Sequence, residues 1–118
     1  MRWVFDEDRA VRAPGYAPRV EHEDYVEAVL STVERVPPGH VTTYGAIAAH
    51  VGVGGPRQVG TVMATYGGPV PWWRVVRADG TLPDSHGPEA LQNYWAEGTP
   101  LKPSGRPDLG EAFWDPAD

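Results

Sequence analysis

Apolar positions recur at helical spacing from about Asp24 onward. Tyr25, Val26, Val29, Leu30, Val33 and Val36 share one side, while Glu27 and Glu34 face the other. Pro37-Pro38-Gly39 stops this helix. Thr43 suits an N-cap for a short helix from Tyr44 to about Val51, with Ile47, Ala48 and Val51 as its apolar side. A glycine-rich loop then leads to Pro56, whose fixed φ and missing N–H suit the first turn of another helix. There Val59, Val62, Met63 and Tyr66 recur at i, i+3, i+4 and i+7 and predict an inward face. Arg57, Gly60, Thr61 and Ala64 are left on the other side.

Beyond Gly67-Gly68-Pro69-Val70-Pro71 the pattern changes. Trp72 to Arg77 is strand-like in composition, Asp79-Gly80 is a hairpin turn signal, and Thr81-Leu82 is the expected return strand. Pro88 opens a last helix with Leu91, Tyr94 and Trp95 as its buried side. A proline-rich tail follows, irregular and docked through Leu109, Phe113 and Trp114. Residues 1–20 have no periodicity and are expected to form an irregular N-terminal extension; residues 21–118 form a single domain. A short helix, a tight loop, a second helix and a hairpin predict a mainly α, winged helix-turn-helix-like fold with a small β-hairpin.

Composition sharpens this picture in two places. The 118 residues contain no cysteine, which excludes disulfides, thiolate metal sites and a cysteine nucleophile. The net charge of −6 is unevenly spread: residues 35–77 hold Arg35, Arg57, Arg74 and Arg77 and no acid, between two acidic flanks. An acid-free stretch covering the helix pair suggests a face for a polyanion. No apolar run approaches the ~20 residues of a membrane span, and the first residues lack a signal-peptide apolar core. A soluble cytoplasmic monomer without a membrane partner is expected.

Other chemistry finds little support. His22, His40, His50 and His86 show no metal-ligand spacing, and no serine lies in a nucleophile-elbow setting. No glycine-rich loop matches a nucleotide-binding fingerprint. No metal and no cofactor are expected.

Three features of the acid-free stretch carry chemistry. Arg57 opens the second helix of the pair, where free N–H groups and a guanidinium suit a phosphate or a groove. The alternative is an ordinary surface arginine. Gly60 costs the helix about 0.5–1 kcal/mol relative to alanine, which either close approach of a nucleic acid or a tight helix–helix contact would explain. Trp72 and Trp73 cannot both point the same way in an extended chain. Either one faces a pocket where a base stacks, or both are core residues.

These residues resemble a known family. Val36 to Gly45, reading VPPGHVTTYG, is similar to the start of the DNA-binding domain of the O6-alkylguanine-DNA alkyltransferases. Pro56-Arg57-Gln58-Val59-Gly60 resembles that family's arginine-finger helix. Pro71-Trp72-Trp73-Arg74-Val75 resembles its Pro-Cys-His-Arg-Val motif, with tryptophan where the nucleophilic cysteine and its activating histidine belong. Tryptophan in the cysteine position marks the alkyltransferase-like proteins, which bind the alkylated base without repairing it.

The resemblance implies a set of roles. Thr43, Tyr44, Arg57 and Gly60 would contact DNA, with Tyr44 crowding the 3′ phosphate and Arg57 filling the gap left by a flipped base. Tyr44, Pro71, Trp72, Trp73, Arg74 and Ser85 would border the alkylated-base pocket, with Arg74 chiefly structural. The loop Asp84-Ser85-His86 would edge that pocket. The family's DNA-contacting serine falls on Ala78, so that contact is expected to be missing. The implied partners are double-stranded DNA containing O6-alkylguanine, entered from the minor groove, and nucleotide excision repair proteins. The expected function is a non-enzymatic lesion sensor. The competing readings are a winged-helix regulator that reads sequence, and an enzyme using another group in the same pocket.

Overall fold

The computed structural model describes residues 18–83 and 86–118. Helix α1 spans Pro18–Arg35, strand β1 Thr42–Thr43, α2 Tyr44–Val51 and α3 Pro56–Tyr66. A 3-10 turn at Trp72–Arg74 leads into β2, Val75–Val76, followed by α4 Gly87–Glu97 and α5 Leu109–Ala112. Helix α1 thus starts at Pro18 rather than near Asp24, so residues 18–20 are helical and not part of an irregular extension. The expectation for residues 1–17 lies outside the described residues.

Local chemistry sets the helix pair. Thr43 Oγ1 accepts the Ala46 N–H at 3.0 Å and caps α2, and Gly52 ends it with a φ of +91°. Pro56 occupies the first turn of α3, and Gln58 Oε1 accepts the Gly55 N–H at 2.8 Å. Val59 and Val62 are buried as expected, but Tyr66 is 43% exposed. It is the last residue of α3, where Gly67 turns the chain away before a ring there can be covered.

Two cores result. Val29 and Val33 of α1 pack with Ile47, Val59, Val62 and Val75. Val41, Val76, Ala90, Tyr94 and Ala112 form the second cluster. The pleat of β2 accounts for the division, since successive side chains leave a strand on opposite faces. Val75 serves one core and Val76 the other.

The expected hairpin is not what forms. β2 pairs in parallel with β1, Thr42 opposite Val75 and Thr43 opposite Val76. The Asp79-Gly80 turn is present: Asp79 Oδ1 accepts from Thr81 N at 3.0 Å and Thr81 Oγ1 at 2.6 Å. Those hydrogen bonds from Thr81 hold the Asp79 carboxyl below the usual carboxylate range. No return strand follows, because Pro83 has no N–H to donate and the Arg77 guanidinium reaches the Leu82 and Pro83 carbonyls at 3.1 and 3.4 Å. The strand-like reading of Trp72 to Arg74 also fails. Arg74 N donates to Pro71 O at 3.0 Å and closes a 3-10 turn there.

Two further side chains differ from expectation. Trp95 is 65% exposed, because α4 buries only the narrow stripe of Ala90 and Tyr94 and the next position along is turned ~100° away. Phe113 is 43% exposed. The tail docks instead through backbone, Val41 N donating to Ala112 O at 3.0 Å and Trp114 N to Val41 O at 2.8 Å. Arg35 covers the Trp114 ring at 5.1 Å, and Leu109 packs on the second core.

Candidate nucleic-acid interface

Helices α2 and α3 meet so that their N-terminal ends border one groove. A cavity of about 390 Å³ is lined by Thr43, Tyr44, Arg57, Gly60, Arg77 and Ala78, among others. A second, of about 570 Å³, shares Tyr44, Arg57 and Gly60 with the first and continues to Trp72, Leu82 and His86. The two read as one groove running along the exposed side of α3 into an aromatic-walled recess.

Gly60 sits at the join. A methyl group placed on it would meet no heavy atom within 4 Å. The helix–helix explanation of this glycine is therefore excluded, and the position faces open groove. Arg57 is exposed on the same side, and its guanidinium makes no hydrogen bond or ion pair among the described residues. Arg77 is committed: its guanidinium holds the Leu82 and Pro83 carbonyls that form the far wall.

Trp72 is half-buried and presents a face to the recess. It meets Trp73 edge-on, with ring centroids 5.5 Å apart at 87°, and His86 at 5.3 Å. Of the two readings of the paired tryptophans, the one with a single ring at the cavity fits. Trp73 turns the other way. Its Nε1–H donates to Glu97 Oε2 at 3.1 Å, and its carbonyl accepts the Tyr94 hydroxyl at 2.6 Å. Burial, together with Tyr44 and Glu97 nearby, raises the Tyr94 phenol well above the ordinary tyrosine range.

Arg74 likewise lies behind the cavity wall. Its Nε and Nη2 donate to Glu97 at 3.1 and 2.5 Å, and its Nη1 to Val36 O at 2.9 Å. Glu97 Oε1 also accepts the Gly39 N–H at 3.2 Å. Burial by itself raises the Glu97 carboxyl, but the donors from Arg74, Gly39 and Trp73 outweigh it and the net shift is downward. Glu97 thus joins the end of α4 to the turn that carries Trp72.

Of the residues expected at the site, Thr43, Tyr44, Arg57, Gly60 and Trp72 line the groove. Pro71, Trp73 and Arg74 do not line either cavity. Ser85 lies outside the described residues. Met63, expected on the inward face of α3, and Leu82, expected in a return strand, also line the recess, as do Pro83 and Glu89. Leu82 and Pro83 follow the Asp79-Gly80 turn closely enough to have been suspected; Glu89 had no local signal. Among the described residues, no group of three or more His, Asp or Glu is placed to hold a metal, and no helix is long and apolar enough to cross a membrane.

Comparison with known proteins bears on this groove. The family described as the DNA-binding domain of 6-O-methylguanine DNA methyltransferase matches residues 24–97, the span from α1 to the end of α4. The chain belongs to that family. Its span covers the groove, the Trp72 turn and Glu97 together, and it agrees with the resemblance carried by the three motifs. Among family relatives, the DNA base-flipping protein of Escherichia coli strain K12 is 35% identical over 115 residues, covering 86% of this chain and 88% of its own. One from Vibrio parahaemolyticus serotype O3:K6, also called a DNA base-flipping protein, is 28% identical over 99 residues, covering 80% and 99%.

The solved structures of S. pombe Atl1 extend the match to three dimensions. Atl1 in complex with damaged DNA containing O6-carboxymethylguanine superposes with a TM-score of 0.68 at 28% identity, covering 79% of this chain and 96% of Atl1. S. pombe ATL in complex with DNA gives 0.67 at 29% identity, with the same coverage. The mainly helical fold is that of an alkyltransferase-like domain.

Proposed function

We propose that this protein binds O6-alkylguanine in duplex DNA, turns the base out of the stack and holds it against Trp72 without removing the alkyl group. The observation that carries this reading is the continuous groove from Arg57 and Gly60 to the Trp72 recess. Flipping a base costs a few kcal/mol, least where damage has already weakened pairing. Arg57, with no partner among the described residues, fills the space left in the duplex. Tyr44 crowds the adjoining phosphate, and the α3 N-terminus and Thr43 meet the backbone. The opened groove beside Gly60 admits the minor-groove edge of the duplex.

Alkyl transfer needs an activated nucleophile, which in this family is a thiolate. The 118 residues offer no cysteine, and the motif resemblance sets Trp72 and Trp73 where the family has its cysteine and histidine. The protein is accordingly a sensor rather than an enzyme. Minor-groove binding bends DNA, and a bent, marked lesion suits hand-over to nucleotide excision repair in the cytoplasm.

Titration with matched duplexes tests the reading. The expected result is tighter binding to O6-methylguanine than to guanine, with an unchanged protein mass and intact lesion by mass spectrometry. Equal affinity for both duplexes, or methyl appearing on the protein, overturns it. Arg57→Ala is expected to reduce the preference for the lesion more than the affinity for undamaged duplex. A loss confined to one unmodified sequence would instead indicate a sequence-reading regulator.

Gly60→Ala separates fold from function at one atom. With open space at this position, alanine will stabilise α3 by about 0.5–1 kcal/mol in thermal melts. The same methyl group stands where the duplex approaches, so lesion affinity will fall. Higher stability with unchanged affinity would remove Gly60 from the DNA-contacting face.

A further inference from the structure

The charges around the recess are few. Arg57 stands at its entrance, and Arg77, on the adjoining cavity, is held by the carbonyls of Leu82 and Pro83. Glu89 is the one carboxylate among the described residues lining either cavity. It lies in the first turn of α4, where an acid complements the helix dipole. That accounts for an acid on α4 but not for its place on the wall of the recess. His86 links it to the aromatic wall, Nδ1 lying 4.0 Å from Glu89 Oε1 and the ring 5.3 Å from Trp72. Trp72, His86 and Glu89 are therefore consecutive features of one surface.

We infer that Glu89 makes this recess select against O6 adducts that carry a negative charge, in favour of neutral and cationic ones. The inference rests on the lesion-binding reading above. A base seated against Trp72 shares its cavity with the Glu89 carboxylate, so a charged substituent on O6 feels that carboxylate while a neutral one does not. The Glu89 side chain is 69% exposed, so the repulsion is the modest, salt-screened one of a solvated pair of like charges. Discrimination by a repulsive group needs no contact with the favoured ligand. Glu89 also repels phosphates, but that effect is common to every duplex and cancels when duplexes are compared.

The test compares the full chain with Glu89→Gln and Glu89→Lys at one pH and salt concentration. Three duplexes are used, carrying guanine, O6-(2-hydroxyethyl)guanine and O6-carboxymethylguanine at the same position. The two adducts have similar length and differ in charge. The unsubstituted protein is expected to favour the hydroxyethyl adduct over the carboxymethyl adduct by about two- to fivefold at low salt. Glu89→Gln closes most of that gap and Glu89→Lys reverses it. The ratio of hydroxyethylguanine to guanine binding stays constant, which also shows that each variant is folded. A carboxymethyl-to-hydroxyethyl ratio that is the same in all three proteins overturns the inference and leaves lesion recognition standing. Failure of the unsubstituted protein to distinguish hydroxyethylguanine from guanine overturns both.

Discussion

Glu97→Ala will lower the stability of the protein by about 2–4 kcal/mol, a fall in Tm on the order of 10 °C. Four donors converge on this carboxylate: the Gly39 N–H, the Trp73 indole, and both Nε and Nη2 of Arg74. The Arg74 and Glu97 side chains are each only 13% exposed. Removing one partner strands a largely buried guanidinium and an indole N–H, and leaving such groups unpaired costs more than the net worth of the bonds. The same network ties stability to pH. The folded carboxyl titrates below its unfolded value, so its stabilisation is complete above about pH 4.3 and is lost as pH falls through the lower folded value. Denaturant unfolding between pH 6 and 2.5 should show that loss in the native protein, and a flatter profile in Glu97→Gln. A Tm within 2 °C of native for Glu97→Ala, or identical acid profiles for the native protein and Glu97→Gln, would remove Glu97 from the centre of the network.

Glu97 has no local signal in the sequence. Its partners stand 58, 24 and 23 residues away, and only the closure of α4 on the turn after α1 brings them together. By contrast, α2 and α3 were legible, because Thr43, Pro56, Gly52 and the Val59–Val62–Met63 spacing act within one or two turns of chain. Aromatic residues misled where hydrophobicity was read as burial: Tyr66 and Trp95 lie at the margins of helices whose buried stripes are narrow. The two-residue strand misled for another reason. A run of two carries no alternation to reveal its partner, so the turn at Asp79-Gly80 suggested a hairpin when both Val75 and Val76 are buried and pair elsewhere. The motif resemblance sets Trp73 and Arg74 at the pocket border, with Arg74 chiefly structural. The 3-10 turn instead fans the three side chains about its axis and sends two of them to Glu97.

Trp72→Ala will weaken binding to an O6-alkylguanine duplex by about 1–3 kcal/mol, roughly five- to 150-fold, and leave binding to undamaged duplex nearly unchanged. The contrast follows from geometry. On the proposed function, undamaged duplex would be held through phosphates along the groove at Arg57 and Gly60, whereas a base turned into the recess would meet the indole face. Trp72→Phe should fall between the two, keeping a π-face with less area. The competing possibility is that Trp72 is chiefly packing, since one side of its ring rests on the second core. Packing loss lowers thermal stability in the free protein and weakens both duplexes alike through the unfolded fraction. Melting Trp72→Ala alone and titrating it well below its Tm therefore separates the two. A lesion-to-guanine affinity ratio equal to that of the unsubstituted protein would show that the base does not rest on Trp72. Loss of the ratio in a protein that remains folded would place the discriminating contact on this ring.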